Sequence, residues 1–598
     1  MKTRYSLIAA GALVALSLSA LSQTAPAKPA PAKATPSPAP AAAKAAATPA
    51  KPGLARRGSS GHVNVIYWQA PSTLNPYLSG GTKDIESASL ILEPLLRFNE
   101  KSEMVPYLAE SVPTIENGGF SKDYKSITYK LRKGIKWSDG SPFTATDVAF
   151  TYDYCTGITG CAKANTFEPI AKIDALNSHT IVITFKAPKP YPYDVLNGAT
   201  TPILQRAQFK DCLGDKAPSC TTQNFNPIGT GPFMVKEFRP NDVIQLVANP
   251  NYRDANKPAF ATMTFKGGGD AAAAGRAVME TGEFDYAWNL QLAPDVLARL
   301  ARGGKGKTVS AFGTLVERIE MNMTDPAAKH GDLRSTTKFP HPFLTDIRVR
   351  KALSMAIDRN LLVEIGYGAA NGRPTCNLVP APAAFASNNT DCIKQDMAGA
   401  KALLEQAGWR MGPDGVRAKD GVKLEMLYQT STNAVRQNFQ ALVKQWWTEL
   451  GVKTELRNIS ASVFFGGNAG SPDTFQRFYA DVEMYANNFD GTDPENYLAE
   501  HICSRIPRPE TQWQGTNMNR YCNADYDKLV TELRQSVGTE KRATIAKRLN
   551  DMLTKDSYVV VPLVERARVS AHSNSLGGVV LNTWDSELWN AADWFRIK

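Results

Sequence analysis

The sequence predicts a mixed α/β protein with more than one lobe, from its length, its composition and the order of its apolar patterns. With 598 residues, 43% of them hydrophobic and 21% charged, the chain has room for roughly two to four domains and a large core. Strand-like alternation occurs mainly in the first half and helical stripes in the second, without regular βα alternation. This composition excludes a mostly disordered, collagenous or polytopic membrane protein.

The N-terminus has the pattern of a secretory signal peptide over residues 1–22. Lys2 and Arg4 precede an apolar run from 5 to 21, and Ala20 and Ser22 offer small residues for cleavage. An uncleaved membrane anchor is the alternative, because a run of about 17 residues is at the lower limit for spanning a bilayer. No cysteine occurs before Cys155, so we expect an exported, periplasmic protein that is soluble and carries no lipid.

Residues 23–60 are predicted to form a disordered linker. Positions 24–52 are almost entirely Ala, Pro, Lys and Thr, which cannot form a core and favour extended polyproline II. The first 60 residues hold eight basic residues and no acidic one, which leaves 60 basic and 57 acidic residues in the rest. The net charge of +11 therefore belongs mainly to the leader and linker, and it does not indicate binding to nucleic acid.

The strands are predicted first, in chain order. Residues 62–68 alternate as a strand, Ile127, Tyr129 and Leu131 share one face of a second, and 180–185 form a third. Residues 233–238 and 243–247, separated by Pro-Asn-Asp, are predicted to form a hairpin.

Helices are predicted from apolar residues at helical spacing, and each stripe is interpreted as core. Gly408 is placed to end the helix that carries the stripe from Ala400 to Ala407. The four stripes are Val349, Ala352, Leu353, Ala356 and Ile357; Ala400, Leu403, Leu404 and Ala407; Phe439, Leu442, Val443 and Trp446; and Tyr526, Leu529, Val530 and Leu533.

Eight cysteines occur as neighbouring pairs, and an even number in an exported chain favours disulfides. Sequence alone leaves the connectivity open, but each short spacing lies in a stretch rich in Gly, Pro or Asn, so we predict four local bridges. A zinc site is the weaker alternative, because no Cys-x-x-Cys occurs and the six histidines are scattered. The pairs are Cys155 with Cys161, Cys212 with Cys220, Cys376 with Cys392, and Cys503 with Cys522.

Motifs for catalysis and for cofactor binding are missing from the sequence. It has no phosphate-binding Gly-x-x-x-x-Gly-Lys-Ser/Thr loop, dinucleotide fingerprint, Gly-x-Ser-x-Gly elbow or His-Glu-x-x-His helix. Asp490 and Asp493 are a conceivable carboxylate pair for glycoside hydrolysis, but sequence does not define their separation. We therefore predict a protein that is not an enzyme and needs no cofactor or metal.

Several separated passages resemble the extracytoplasmic solute-binding proteins of family 5, the peptide, opine and nickel group that serves ABC importers. Each passage is weakly specific alone, but their order and spacing are specific together. They are Thr73-Leu-Asn-Pro76, Tyr129-Lys-Leu-Arg-Lys-Gly-Ile-Lys-Trp-Ser-Asp-Gly140, Thr144-Ala-Thr-Asp-Val148, Pro227-Ile-Gly-Thr-Gly-Pro-Phe233, Asn249-Pro-Asn-Tyr252 and Asp346-Ile-Arg-Val-Arg-Lys-Ala-Leu353.

The resemblance implies a two-lobed, periplasmic-binding-protein-like clamp of type II with an extra third domain. Lobe I would be discontinuous, over 61–92, 205–313 and 563–598, with the extra small domain at 93–204 and lobe II at 314–562. Such proteins close around a ligand by hinge rotation and deliver it to ABC permease subunits in the membrane. We expect a monomer that binds a peptide or another polar small solute and no nucleic acid.

The resemblance also suggests where the ligand binds. Relatives pair the ligand's ammonium group with an Asp that precedes a Pro in a late aromatic loop, and here alignment leaves Asn488 or Asp490 at that position. Asn would suit a neutral polar ligand, so an oligosaccharide is the alternative to di- or oligopeptides, and an exported hydrolase is the alternative of another class. The predicted ligand-binding residues are Tyr67, Trp68, Trp288, Asn289, Arg373, Tyr485, Asn487, Asn488, Asp490, Asp493 and Trp513. The aromatic residues and Arg373 have core or surface roles as their alternatives.

Overall fold

A computed structural model describes residues 56–468 and 470–597. The predicted signal peptide and all but the last residues of the predicted linker lie outside these ranges. Strand bounds in chain order are β1 His62–Tyr67, β2 Leu96–Phe98, β3 Met104–Pro106, β4 Ser126–Lys130, β5 Ile170–Asn177, β6 Thr180–Phe185, β7 Phe233–Arg239, β8 Val243–Ala248, β9 Thr262–Gly267, β10 Tyr286–Ala287, β11 Gly306–Ala311, β12 Val316–Met321, β13 Gly372–Pro374, β14 Arg410–Met411, β15 Arg417–Lys419, β16 Val422–Lys423, β17 Glu425–Ser431, β18 Lys453–Ile459, β19 Val482–Asn487, β20 Val560–Arg566, β21 Arg568–Ser573, β22 Leu576–Gly577 and β23 Phe595–Arg596.

Helices lie mainly between the strands of the second half. Their bounds are α1 Thr82–Ala88, α2 Ala145–Gly157, α3 Ala164–Phe167, α4 Arg206–Phe209, α5 Thr221–Phe225, α6 Ala271–Met279, α7 Pro294–Ala301, α8 Ile347–Met355, α9 Arg359–Gly366, α10 Gly368–Asn371, α11 Met397–Gln406, α12 Ala434–Glu449, α13 Ala461–Phe464, α14 Glu495–Leu498, α15 Ala524–Gln535 and α16 Thr539–Asp551. Within the described ranges, no helix is both long and apolar enough to cross a bilayer.

The first large sheet has seven strands in the order β11-β21-β10-β1-β9-β8-β7. β1 lies parallel to both β9 and β10, and its inward residues Val63, Val65 and Tyr67 are fully buried. The strands come from three distant parts of the chain, so this sheet is assembled by long-range pairing.

The second large sheet has six strands in the order β13-β20-β12-β19-β17-β18. Its core is formed with helices α8, α9, α11 and α12. A third sheet, β4-β6-β5, has three strands and lies within residues 126–185.

The chain passes between the two large sheets at two places. β11 of the first sheet leads into β12 of the second through residues 312–315, and Ala567 alone separates β20 from β21. β20 pairs with β12 up to Glu565, so it runs across the lobe boundary predicted between 562 and 563, because the strand's hydrogen bonds continue beyond that point. The domain boundaries as a whole stay a prediction.

The predicted strands and the hairpin are confirmed as β1, β4, β6 and the antiparallel pair β7 and β8. The helices are confirmed as α8, α11, α12 and α15, and the backbone N–H of Gly408 caps α11 on the carbonyl of Glu405. The predicted stripe of α12 packs against the core, with Trp446 half-buried, and Trp447 beside it is fully buried. The buried face continues from Phe439 through Val443 to Trp447 at spacings of four.

Gly229, in the family passage 227–233, lies against the backbone of Ile91. A Cβ atom at this position would lie 1.9 Å from the carbonyl oxygen of Ile91, so the residue permits a close approach of two backbones. All four predicted disulfides are confirmed, with Cα–Cα distances of 4.6 to 6.0 Å.

Candidate functional site

A cavity of about 680 Å³ lies where strands of both large sheets end. From the first sheet it is lined by Gln69 after β1, by Trp288 and Asn289 after β10, and by Arg568 of β21. The last residues of β19 and the loop that follows, 485–490, line it from the second sheet, and residues 155–168 line it from the region of the small sheet. Its volume is that of a typical small-molecule site, and parts of the chain distant in sequence converge on it.

The loop after β19 is held in place by hydrogen bonds to its main chain. The N–H of Phe489 donates to the hydroxyl of Thr314, which itself donates to the carbonyl of Phe489, and the N–H of Gly491 donates to the carbonyl of Trp584. These contacts, at 3.2, 2.7 and 2.8 Å, fix the residues on either side of Asp490.

The carboxylate of Asp490 lines the cavity and receives no hydrogen bond from the described residues. Its nearest cation is Arg568, whose Nη2 lies 3.9 Å from Oδ1. Burial raises the pKa of Asp490 from 3.8 to about 6, and repulsion by Asp585 adds to this, while Arg568 and Lys163 oppose it. Asp490 is therefore an acceptor with spare capacity and incomplete charge compensation.

Two further carboxyl groups line the cavity. Burial raises the pKa of Glu86 to about 8, helped by repulsion from Glu587, and burial raises the pKa of Glu500 to about 7. Glu86 accepts hydrogen bonds from the hydroxyl of Ser586 and the N–H of Glu587, and Glu500 accepts one from the side-chain amide of Asn487 at 3.0 Å. A cationic group of a ligand would stabilise the ionised form of each.

The arginines that line the cavity differ in whether a nearby carboxylate compensates their positive charge. Arg436 and Arg566 both bind the buried carboxylate of Glu317, with shortest distances of 2.9 and 3.0 Å. Arg568 lies 3.7 Å from Glu86 as well as 3.9 Å from Asp490. Arg505 has no carboxylate within 4.0 Å among the residues that the structure describes, and burial lowers its pKa to about 9.

Aromatic rings form the apolar part of the lining. Trp288 stacks on Tyr67 with ring centroids 4.5 Å apart, and Phe475 meets the ring of Tyr485 at 5.4 Å. Phe489 packs against Tyr497 at 5.2 Å. These rings present apolar surface beside the charged groups, which suits a ligand that has both kinds of surface.

Two disulfide-closed segments, 155–161 and 503–522, approach each other at the edge of the cavity. The side-chain amide of Asn165 donates to the hydroxyl of Thr516 at 2.8 Å, and Nη2 of Arg505 donates to the carbonyl of Asn165 at 3.1 Å. A Cβ atom at Gly160 would lie 2.9 Å from Cγ of Gln514, so the two segments are in close contact.

Seven of the residues predicted to bind the ligand line the cavity. They are Trp288, Asn289, Tyr485, Asn487, Asn488, Asp490 and Asp493. The carboxylate of Asp493 is already bound at both oxygens by Arg542, each at 2.7 Å, so it acts as a structural ion pair. The side chain of Asn488 makes no hydrogen bond to any described residue.

The other four predicted residues do not line the cavity. Tyr67 is fully buried beneath Trp288, and Trp68 donates its Nε1–H to the carbonyl of Asn289 at 2.9 Å, so both support the site from behind. Arg373 is exposed on β13, where it covers the ring of Phe312 and pairs with Glu565 at 3.3 Å. Trp513 packs edge-on against Tyr479.

Sequence reasoning missed most of the charged residues of the lining, among them Glu86, Lys163, Glu500, Arg505 and Arg568. Glu86 lies in α1 and Arg568 in β21, and nothing in their local patterns distinguishes them from core-flanking charges. Lys163 and Arg505 each lie within two residues of a cysteine whose disulfide was predicted. This proximity was the one signal in the sequence that could have pointed to them as lining residues. Among the described residues, no group of three His, Cys, Asp or Glu side chains is arranged to hold a metal ion.

Comparisons with known proteins agree with this architecture. The sequence model of a family described as "Bacterial extracellular solute-binding proteins, family 5 Middle" matches residues 103–504. The glutathione-binding protein GsiB of Shigella dysenteriae is 24% identical over 513 residues, 85% of this chain and 89% of the relative.

Solved structures show the same fold. The oligopeptide-binding protein AppA of Bacillus subtilis, in complex with a nonapeptide, has a TM-score of 0.76 at 20% identity, covering 91% of this chain and 100% of that one. NikZ of Campylobacter jejuni, in complex with Ni(L-His), has a TM-score of 0.74 at 21% identity, covering 90% and 100%. The expected two-lobed type II fold with a third domain is thereby confirmed.

Proposed function

Because the chain belongs to family 5 of the bacterial extracellular solute-binding proteins, we propose that it is the substrate-binding component of an ABC importer and that its ligands are di- or oligopeptides. The relatives support peptides: GsiB is named for glutathione, which is itself a tripeptide, and the structure of AppA is that of a complex with a nonapeptide. An exported, periplasmic location and delivery to membrane permease subunits are parts of the same proposal.

One observation carries the choice of peptide. The carboxylate of Asp490 lines the cavity without a hydrogen bond from the described residues, and its nearest cation is 3.9 Å away. A peptide's terminal ammonium group would supply both the missing donors and the missing charge. The stacked ring of Trp288 and the rings near Tyr485 offer apolar surface to the side chains of a peptide.

Closure around the ligand is proposed to occur at the two crossings between the large sheets, 312–315 and Ala567. Because only two short connections join the sheets there, small changes of backbone dihedral angles suffice to rotate one against the other. The ligand favours the closed form only through contacts that it makes on both sides of the cavity, as it would with Trp288 and Asn488.

The decisive test compares Ala-Ala-Ala with N-acetyl-Ala-Ala-Ala by isothermal titration calorimetry. We expect the free amine to bind at least about tenfold more tightly, and Asp490→Asn to remove that preference, because a charge-assisted hydrogen bond contributes about 1.5–3 kcal/mol. Asp174→Asn, on exposed strand β5, serves as the matched control and should leave both affinities unchanged.

The same samples distinguish the alternatives. The peptide should be recovered intact by mass spectrometry, whereas fragments released at catalytic turnover would establish a hydrolase. Asn488→Ala should weaken both peptides alike if that amide hydrogen-bonds the peptide backbone. Binding of oligosaccharides together with no binding of either peptide would overturn the proposal.

A further inference from the structure

Arg505 lines the cavity and is one of its most deeply buried cations. The residue is 5% exposed, its Nη1 has no hydrogen-bond partner, and its Nη2 donates only to the carbonyl of Asn165. Glu168 and Glu500 act on its charge, but no described carboxylate oxygen lies within 4.0 Å of it. Arg436, Arg566 and Arg568, the other arginines of the lining, each have such a carboxylate.

An unpaired guanidinium of this kind is energetically unfavourable, because burial removes water without replacing its hydrogen bonds. A planar anion can supply both the missing hydrogen-bond acceptors and the missing negative charge, since a guanidinium presents parallel donors to the two oxygens of a carboxylate. The uncompensated charge therefore suits a carboxylate that arrives with the ligand.

The backbone holds Arg505 in its position before any ligand arrives. Its carbonyl accepts hydrogen bonds from the N–H groups of Thr516 and Asn517, at 3.0 and 3.1 Å, and the bridge between Cys503 and Cys522 closes the segment around it. Pre-organisation of this kind lowers the entropy that binding would otherwise cost.

Lys163 provides a second cation near this position. It lies two residues from Asn165, whose carbonyl Arg505 contacts, it also lines the cavity, and it has no described carboxylate within 4.0 Å. Burial lowers the pKa of Lys163 to about 8, although the charges of Asp490, Glu500 and Asp84 oppose this shift.

We infer that Arg505 is a specificity-determining residue that binds a carboxylate of the ligand, so that the cavity selects peptides carrying a free C-terminal or side-chain carboxylate. This inference rests on the proposed function and adds a ligand class to it. The ligand would present its ammonium group to Asp490 and a carboxylate to Arg505, with Lys163 adding to the attraction.

The test measures the affinities of four peptides for the full-length protein by calorimetry. Ala-Ala-Ala and its C-terminal amide report on the terminal carboxylate, and the amides of Ala-Glu-Ala and Ala-Gln-Ala report on a side-chain carboxylate. In at least one of the two pairs, the peptide that carries the carboxylate should bind about ten- to a hundredfold more tightly than its amide partner. Arg505→Gln should reduce this ratio of affinities to near one.

Arg350→Gln is the matched control, since Arg350 is also 5% exposed but donates to the carbonyls of Ser557 and Leu344 and does not line the cavity. It should lower thermal stability as Arg505→Gln does and leave the ratio intact. Arg505→Lys, which keeps the charge, should retain part of the preference.

The outcomes separate the two ideas. Equal affinities within both pairs for the wild-type protein, which needs no variant to fold, would overturn the role of Arg505 and leave the peptide proposal standing. A preference that survives in Arg505→Gln would overturn it as well. Failure of all four peptides to bind would overturn the proposed function itself, and the role of Arg505 with it.

Discussion

Single carboxyl groups in the cavity differ in how far the protein compensates their charge. Asp493 is held at both oxygens by Arg542, whereas Asp490 has only Arg568 at 3.9 Å. Both were predicted as ligand-binding residues from one loop, and only their partners distinguish them. The partner of Asp493 comes from α16, about fifty positions away, and sequence spacing could not have indicated it.

The raised pKa of Asp490 leads to a prediction about pH. Its pKa is about 6 in the free protein, so the carboxylate is largely ionised at pH 7 and largely protonated at pH 5. An ammonium ligand binds the ionised form, so affinity for Ala-Ala-Ala should rise with pH and fall about tenfold from pH 7 to pH 5. Calorimetry across this range measures it.

The variant Asp490→Asn and the acetylated peptide provide the controls for this pH dependence. Both should show a much smaller change between pH 5 and pH 7. Glu500 and Glu86, with pKa values of about 7 and 8, titrate at higher pH, where the peptide's own ammonium group also loses its proton, so the comparison is made between pH 5 and pH 7. An affinity for Ala-Ala-Ala that is constant from pH 5 to pH 7 would contradict the role of Asp490.

At the scale of elements, local patterns predicted structure well wherever one face of an element meets the core. The alternation of β1 and β4 and the stripes of α8, α11 and α15 agree with their buried faces. The stripe of α12 also packs against the core, but sequence spacing did not show that the neighbouring Trp447 is the more deeply buried tryptophan.

Two of the four disulfides allow a matched comparison of elements. The bridge between Cys503 and Cys522 closes a segment that lines the cavity, whereas Cys212 and Cys220 close one that does not. Replacing either pair with serine should lower the melting temperature, because a bridge over about 15 residues contributes about 3 kcal/mol. Only the 503–522 variant should also weaken peptide binding.

Differential scanning calorimetry and titration of the two serine variants check this prediction. The physical reason is that Ser504, Arg505 and Thr516 keep their places in the lining only while their segment is closed. Equal loss of affinity in both variants would mean that general destabilisation, and not the 503–522 segment, is responsible.

At the scale of the whole molecule, several contacts bridge the cavity between the region of the small sheet and the second large sheet. Lys189 and Glu495 form a buried ion pair at 3.0 Å, and Asn165 contacts Thr516 at 2.8 Å. If the cavity opens as proposed, both contacts would have to break.

Small-angle scattering tests the proposed closure. Addition of saturating Ala-Ala-Ala should reduce the radius of gyration of the wild-type protein, because ligand contacts on both sides shift the population toward the closed form. At the same peptide concentration, Asp490→Asn should show a smaller reduction. Scattering curves that coincide with and without every peptide that binds would contradict closure.

What the sequence by itself determined about this protein is local and ordered along the chain: the strands and helices, the four bridges between neighbouring cysteines, and the passages that identify the family. These depend on periodicity and short spacing, which a single sequence contains. The composition of the cavity was decided only by tertiary structure, since Glu86, Arg505 and Arg568 come together from α1, a disulfide-closed segment and β21. Whether a charge there is free for a ligand depends on partners that lie from about fifty to several hundred positions away, because Coulomb interactions and desolvation follow distance in space and not along the chain.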